Sequence, residues 1–153
     1  MHTSARLAPM PSATPEHASL ILRLYETRRE PRLREARQWF GAHYKQVVTW
    51  NDHLLLCPAA SEQDASFRMV TSYWDMAASF VNSGALDAEL FYRSGLELLF
   101  VWERVRDVLP AIRQARKNPL FWEDFEAVAT GMIAWINSRS PESYAMFSSR
   151  VRG

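Results

Sequence analysis

DAELFYRSGLELLFVWERVRD, residues 87–107, decides the fold class. Phe91, Leu98, Trp102 and Val105 recur at helical spacing, and Leu96, Leu99, Phe100 and Val101 widen that stripe. A helix apolar over most of its circumference belongs at the centre of a helical assembly. The stretch is also too short, and carries Glu97, to be a bilayer span of roughly 18–20 apolar residues.

Working outward, the punctuation is helical on both sides. Thr14-Pro15, Glu30-Pro31, Asn118-Pro119 and Ser140-Pro141 each place Pro at a first helical position, three of them behind a good N-cap residue. Ser61 followed by Asp64 is close to a capping box, and Gly84 suits a left-handed helix stop. These signals predict helices over about 15–29, 31–50, 62–82, 87–107 and 119–137. A short helical piece follows Pro110 and a last helix covers about 141–149. Residues 51–60 read as a loop and 1–13 as a polar tail. No window alternates with period two. The expectation is an all-α single domain over 14–153, a bundle of about five main helices plus a short C-terminal one, with helices two, three and five around helix four. Gly95 and Gly131 fall mid-helix, where each costs about 1 kcal/mol against Ala, as at a close helix approach.

Composition narrows the function classes. The chain has 153 residues, 48% of them apolar, with six Trp, one Cys and a net charge of +1. That balance excludes disorder over most of the length, and the single Cys57 excludes a disulfide scaffold. Pro9 and Pro11 leave no apolar run for a secretory leader, so a cytoplasmic location is expected, with no membrane partner. Of 18 basic residues all but Lys45 and Lys117 are arginine, a bias that a GC-rich genome also produces.

Five constellations bear on chemistry. Glu97 is the one charge between Leu96 and Trp102. It is a candidate ligand contact, with Trp102 and Arg113, unless Arg93, Arg104 or an arginine from a neighbouring helix pairs it. His43, His53 and Asp52 lack the spacing that puts two metal ligands on one helical face, and Asp75 aligns with Thr71, Ser79 and Asn82 on a polar face. Neither metal nor cofactor is expected. Cys57-Pro58 reads as a loop turn, since haem ligation lacks a second ligand and a nucleophilic Cys57 would need a base such as His53. From Arg23 to Arg37 six Arg face three Glu, a local +3, but i,i+4 pairing and the nearly neutral whole argue against nucleic acid. Trp39-Phe40 and Phe121-Trp122 put aromatics on adjacent helix faces, which makes Trp39, Phe121 and Trp122 candidate interface residues.

Three blocks carry a resemblance: Arg34 to Phe40; Trp74 to Ser79 running through Gly84 and Asp87 to Phe91; and Phe100 to Trp102 running through Pro110 and Arg113 to Asn118-Pro119. Together they resemble a group of small bacterial helical proteins classed as a domain of unknown function, over about residues 20–135. The resemblance implies an all-helical bacterial protein and brings no activity or catalytic residue. The leading expectation is a non-catalytic protein–protein interaction module, homo-oligomeric. The alternatives are a small-molecule-binding bundle or enzyme with a pocket around Glu97 and Trp102, and nucleic-acid binding through the Arg-rich first two helices.

Overall fold

The computed structural model describes residues 13–153, so the tail expected over 1–13 lies almost wholly outside the described residues. The described chain is all-helical, without strands. Its order is α1 (Pro15–Arg28), α2 (Pro31–His43), a 3-10 turn (Tyr44–Gln46), α3 (Trp50–Leu56), α4 (Glu62–Asn82), α5 (Ala88–Ser94), α6 (Leu96–Val105), a second 3-10 turn (Arg106–Val108), α7 (Leu109–Arg116), α8 (Glu123–Arg139) and α9 (Ser143–Arg152).

Local chemistry sets these starts. Thr14 accepts the His17 N–H with Pro15 at the first position of α1. Glu30 caps α2 with its carboxylate, which accepts the Arg32 and Leu33 N–H groups at 3.0 and 2.8 Å. Ser61 accepts the Asp64 N–H at 3.0 Å to open α4. The expected loop over 51–60 is largely helical instead, because Thr49 and Asp52 cap each other's backbone reciprocally and open α3.

Two other differences also have physical causes. The helix expected over 87–107 breaks at Gly95, where a β-carbon would lie 2.6 Å from the Phe91 ring. Phe91 is buried directly over that backbone, so the position excludes a side chain. Asn118-Pro119 does not start α8. Lys117 and Trp122 are both left-handed, with φ of 52° and 60°, and the Asn118 side chain accepts the Leu120 N–H at 3.0 Å, making a turn of 118–122. Gly131 is a close approach, as expected: the Tyr92 hydroxyl of α5 lies against it.

The buried apolar side chains from Leu24 to Met132 form one connected cluster. The most extensive helix–helix packing is that of α4 with α2 and α8, whereas α6, expected at the centre, packs chiefly on α8 and α9. Leu98, Leu99, Val101, Trp102, Glu103 and Val105 of α6 are nevertheless buried.

Candidate functional site

Glu97 lies in the first turn of α6 and is met by two arginines from other helices. Arg37 of α2 engages it as a fork: Nε donates to Oε1 at 2.6 Å and Nη2 to Oε2 at 2.7 Å. Arg28 of α1 donates from Nη1 to Oε2 at 2.8 Å, and Arg37 Nη1 donates to the Arg28 carbonyl at 3.1 Å. Planar guanidinium suits such bidentate contact. The bond to Glu97 is the main reason the Arg37 pKa is raised. Arg93, which lies on α5 across the break at Gly95, and Arg104 of α6 are committed elsewhere. Arg93 pairs with Glu89 at 3.1 Å, and Arg104 donates to the Gly41 carbonyl at 2.8 Å.

The other residues singled out above are dispersed. Trp102 is buried edge-on against Phe125, with ring centroids 5.3 Å apart. Arg113 donates to the Phe121 carbonyl at 2.9 Å and pairs with Glu126 at 3.3 Å. Glu97, Trp102 and Arg113 therefore have no partner in common. Trp122 is buried inside the chain, while Trp39 and Phe121 are half-buried against the core. In the arginine strip, Arg28 and Arg37 are turned onto Glu97 and Arg32 donates to Ser66 at 3.2 Å.

A cavity lies between α3, α4, α7 and the 118–122 turn. It measures about 630 Å³, within the roughly 300–1,000 Å³ usual for small-molecule sites. Trp50, Phe67, Phe121 and Trp122 supply aromatic wall, and His53, Cys57, Asp64, Arg68, Asp75 and Arg116 supply polar atoms. His53 stacks on Trp50 with centroids 4.9 Å apart, and its Nδ1 is hydrogen-bonded to the buried Tyr44 hydroxyl at 2.9 Å. Burial lowers the His53 pKa, so the imidazole is neutral at pH 7. Burial also pushes the Cys57 thiol up to about 12. A thiol held so far from ionising is a weak nucleophile at neutral pH, and His53 Nδ1 is taken up by the Tyr44 hydroxyl.

Asp75, expected on a polar face, is half-buried. It sits against the first turn of α8, where burial and the nearby Asp124 raise its pKa while the Phe125 N–H acts in the opposite sense. Its Oδ1 is buried and has no hydrogen-bond partner among the described residues. The remaining charges of the cavity are engaged: Arg68 pairs with Asp64 at 3.1 Å, and the Arg116 guanidinium lies 4.3 Å from the Phe121 ring centroid. No group of three or more His, Cys, Asp or Glu among the described residues is placed to hold a metal ion.

A further buried carboxylate escaped the sequence reading. Glu103 on α6 has a fully buried side chain that accepts hydrogen bonds from the Tyr144 hydroxyl and from Ser148 Oγ, the latter at 2.7 Å. Arg152 and Arg106 complete its surroundings at 3.4 and 3.6 Å. Three of these four partners come from α9, so Glu103 fastens that helix. The signal was present: Glu103 follows the buried Leu99 by four residues, which places it on the same inward row.

Fold and site define a class: an all-helical protein with an aromatic-walled cavity beside its longest helix and two carboxylates tied into arginine clusters. The chain belongs to the family described as domain of unknown function (DUF4760), whose model matches residues 13–135. No curated protein and no solved structure matches it. The matched region ends within α8, so α9 lies beyond it. Among the described residues no helix is long and apolar enough to cross a membrane.

Proposed function

We propose that this chain is a non-catalytic binding protein whose α3–α4–α7 cavity takes a small organic amine with an aromatic or apolar body. One observation carries the reading: Asp75, a half-buried carboxylate with an unpartnered oxygen, shares a cavity with four aromatic side chains. An ammonium is attracted both to a carboxylate and to aromatic faces. A divalent cation needs more ligands than this site assembles. The buried, un-ionised Cys57 and the tethered His53 favour binding over catalysis. Residues 14–153 act in this reading as one folding unit in the cytoplasm.

The test is an NMR titration of the full chain with 2-phenylethylamine, matched against neutral 2-phenylethanol. The amine is expected to shift the indole resonances of Trp50 and Trp122 and to bind about tenfold more tightly than the alcohol. Asp75→Asn should bring the two together. Failure of either probe to move those resonances at millimolar concentration removes the cavity as a site.

A second reading is homo-oligomerisation. It is supported by Val48, Leu54 and Leu55, which lie exposed on and beside α3, with Leu54 and the half-buried Phe121 lining the same cavity. A monomeric mass by light scattering at high concentration excludes it. A dimer that Leu55→Glu dissociates supports it.

A further inference from the structure

The arginines around Glu97 converge on a recess that is separate from the cavity above. It is about 360 Å³ and is lined by Tyr25, Arg28, Arg29, Arg34 and Arg37. Four arginines thus line one small volume, and no acidic residue is among its lining residues. Glu97 holds Arg28 and Arg37 from the side, and Arg37 spends its Nε and Nη2 on that carboxylate and Nη1 on the Arg28 carbonyl. Arg28 bonds Glu97 through Nη1, and its guanidinium lies 5.0 Å from the Tyr25 ring centroid and 5.4 Å from that of Trp74. Arg29 and Arg34 are exposed and take part in no ion pair among the described residues.

The carboxylates Glu30 and Glu35 are not among the residues that line the recess. Glu30 turns its carboxylate onto the N–H groups of Arg32 and Leu33, and Glu35 lines a different recess with Arg32 and Trp39. Glu97 offsets one of the four positive charges. Like charges gathered in one place are an arrangement that anion recognition uses. Two of the four are fixed in position before any ligand arrives, which lowers the ordering cost of binding. The site is compact, with residues from the end of α1 and the start of α2, and does not run along a groove.

We propose that this recess binds a single phosphoryl group. Arg29 and Arg34 supply the free forks, Arg28 adds a third guanidinium, and Glu97 acts as a positioning residue that keeps Arg28 and Arg37 in place. A tetrahedral dianion offers oxygens that accept the paired N–H groups of guanidinium. This site stands independently of the amine cavity.

The experiment measures thermal unfolding of the full chain in sodium phosphate, sodium pyrophosphate and sodium chloride at matched ionic strength, with binding followed by calorimetry. Phosphate and pyrophosphate should raise Tm in a concentration-dependent way that chloride does not reproduce. Arg29→Gln and Arg34→Gln alter exposed side chains, so their Tm in chloride should stay within about 2 °C of the parent. Each should weaken phosphate binding about tenfold. Equal Tm in phosphate and chloride overturns the proposal, as does stabilisation that survives the Arg29→Gln, Arg34→Gln pair. A short DNA duplex forms the last arm. Duplex binding without phosphate binding would reassign these arginines to an extended backbone contact and also overturn it.

Discussion

Replacing Glu103 by Leu should loosen α9 and lower global stability together. Leu keeps the approximate volume, so the loss comes from polar contacts. The carboxylate accepts from the Tyr144 hydroxyl and Ser148 Oγ, and it is the ionic partner of Arg106, whose Nε is buried without a hydrogen bond. Hydrogen bonds to charged groups contribute about 1.5–3 kcal/mol each, and removing one partner of a buried pair costs about 3–5 kcal/mol. The orphaned groups can regain water if α9 lifts away, so the cost of releasing α9 caps the loss, and about 3–4 kcal/mol is expected. For a chain of this size each kcal/mol moves Tm by about 2–4 °C, which gives a fall of about 6–16 °C. Calorimetry reads the fall. Hydrogen exchange should localise it, with protection lost over 143–152 and retained in α4. Tyr144→Phe removes one of the contacts and should cost about 1–2 kcal/mol. The Glu103–Tyr144 double-mutant cycle should then show a coupling of about 1 kcal/mol or more. A Glu103→Leu protein that melts within 2 °C of the parent, with α9 still protected, would refute the reasoning.

Gly95→Ala would place a β-carbon 2.6 Å from the buried Phe91 ring. Overpacking of this kind should destabilise by about 1–3 kcal/mol, measured by urea unfolding. Cys57 should react with a thiol reagent at pH 8 roughly a thousandfold more slowly than a free cysteine, because its pKa is pushed up to about 12 and the thiolate is the reacting form. The folded-state pKa of Asp75 is raised above its ordinary 3.8, so the folded state binds its proton more tightly than the unfolded state does, and stability falls as pH rises through that folded pKa. Asp75→Asn should therefore raise Tm at pH 7, with the gain shrinking as pH falls toward 3.8. A gain independent of pH would show that the charge is not its source.

Helix starts were legible where one local signal governed them. Thr14-Pro15, Glu30-Pro31 and Ser61 mark real N-termini, each by a side chain that captures backbone N–H groups. Asn118-Pro119 carries the same letters but serves a turn, because Lys117 has already left the helix through a left-handed residue. The break at Gly95 was hidden, since a glycine within a helical pattern is tolerated and only the Phe91 ring shows why the helix stops. The cavity was less legible still. His53 and Tyr44 are nine residues apart, and Asp75 meets the first turn of α8 some fifty residues on. No periodicity within one helix encodes such a meeting. Glu97 could be singled out because one charge stood in an apolar run, but its partners on α1 and α2 follow from tertiary packing.

Three carboxylates show what separates a fastening from a site in this fold. Glu103 is wholly buried, and its partners come almost entirely from one helix, so its energy goes into docking that helix. Glu97 keeps 26% exposure and collects Arg28 and Arg37, which joins α1, α2 and α6. It also leaves those arginines beside Arg29 and Arg34, which take part in no ion pair among the described residues. Asp75 alone of the three has a buried oxygen without a partner among the described residues, and it lies on a cavity wall. A fold selected for stability alone gains nothing from the unpartnered Asp75 oxygen, because it raises the free energy of the folded state. An opposite charge in the cavity relieves that cost, which is the physical ground for the amine proposed there, and the ground for the phosphoryl proposal is the run of arginines lining one recess.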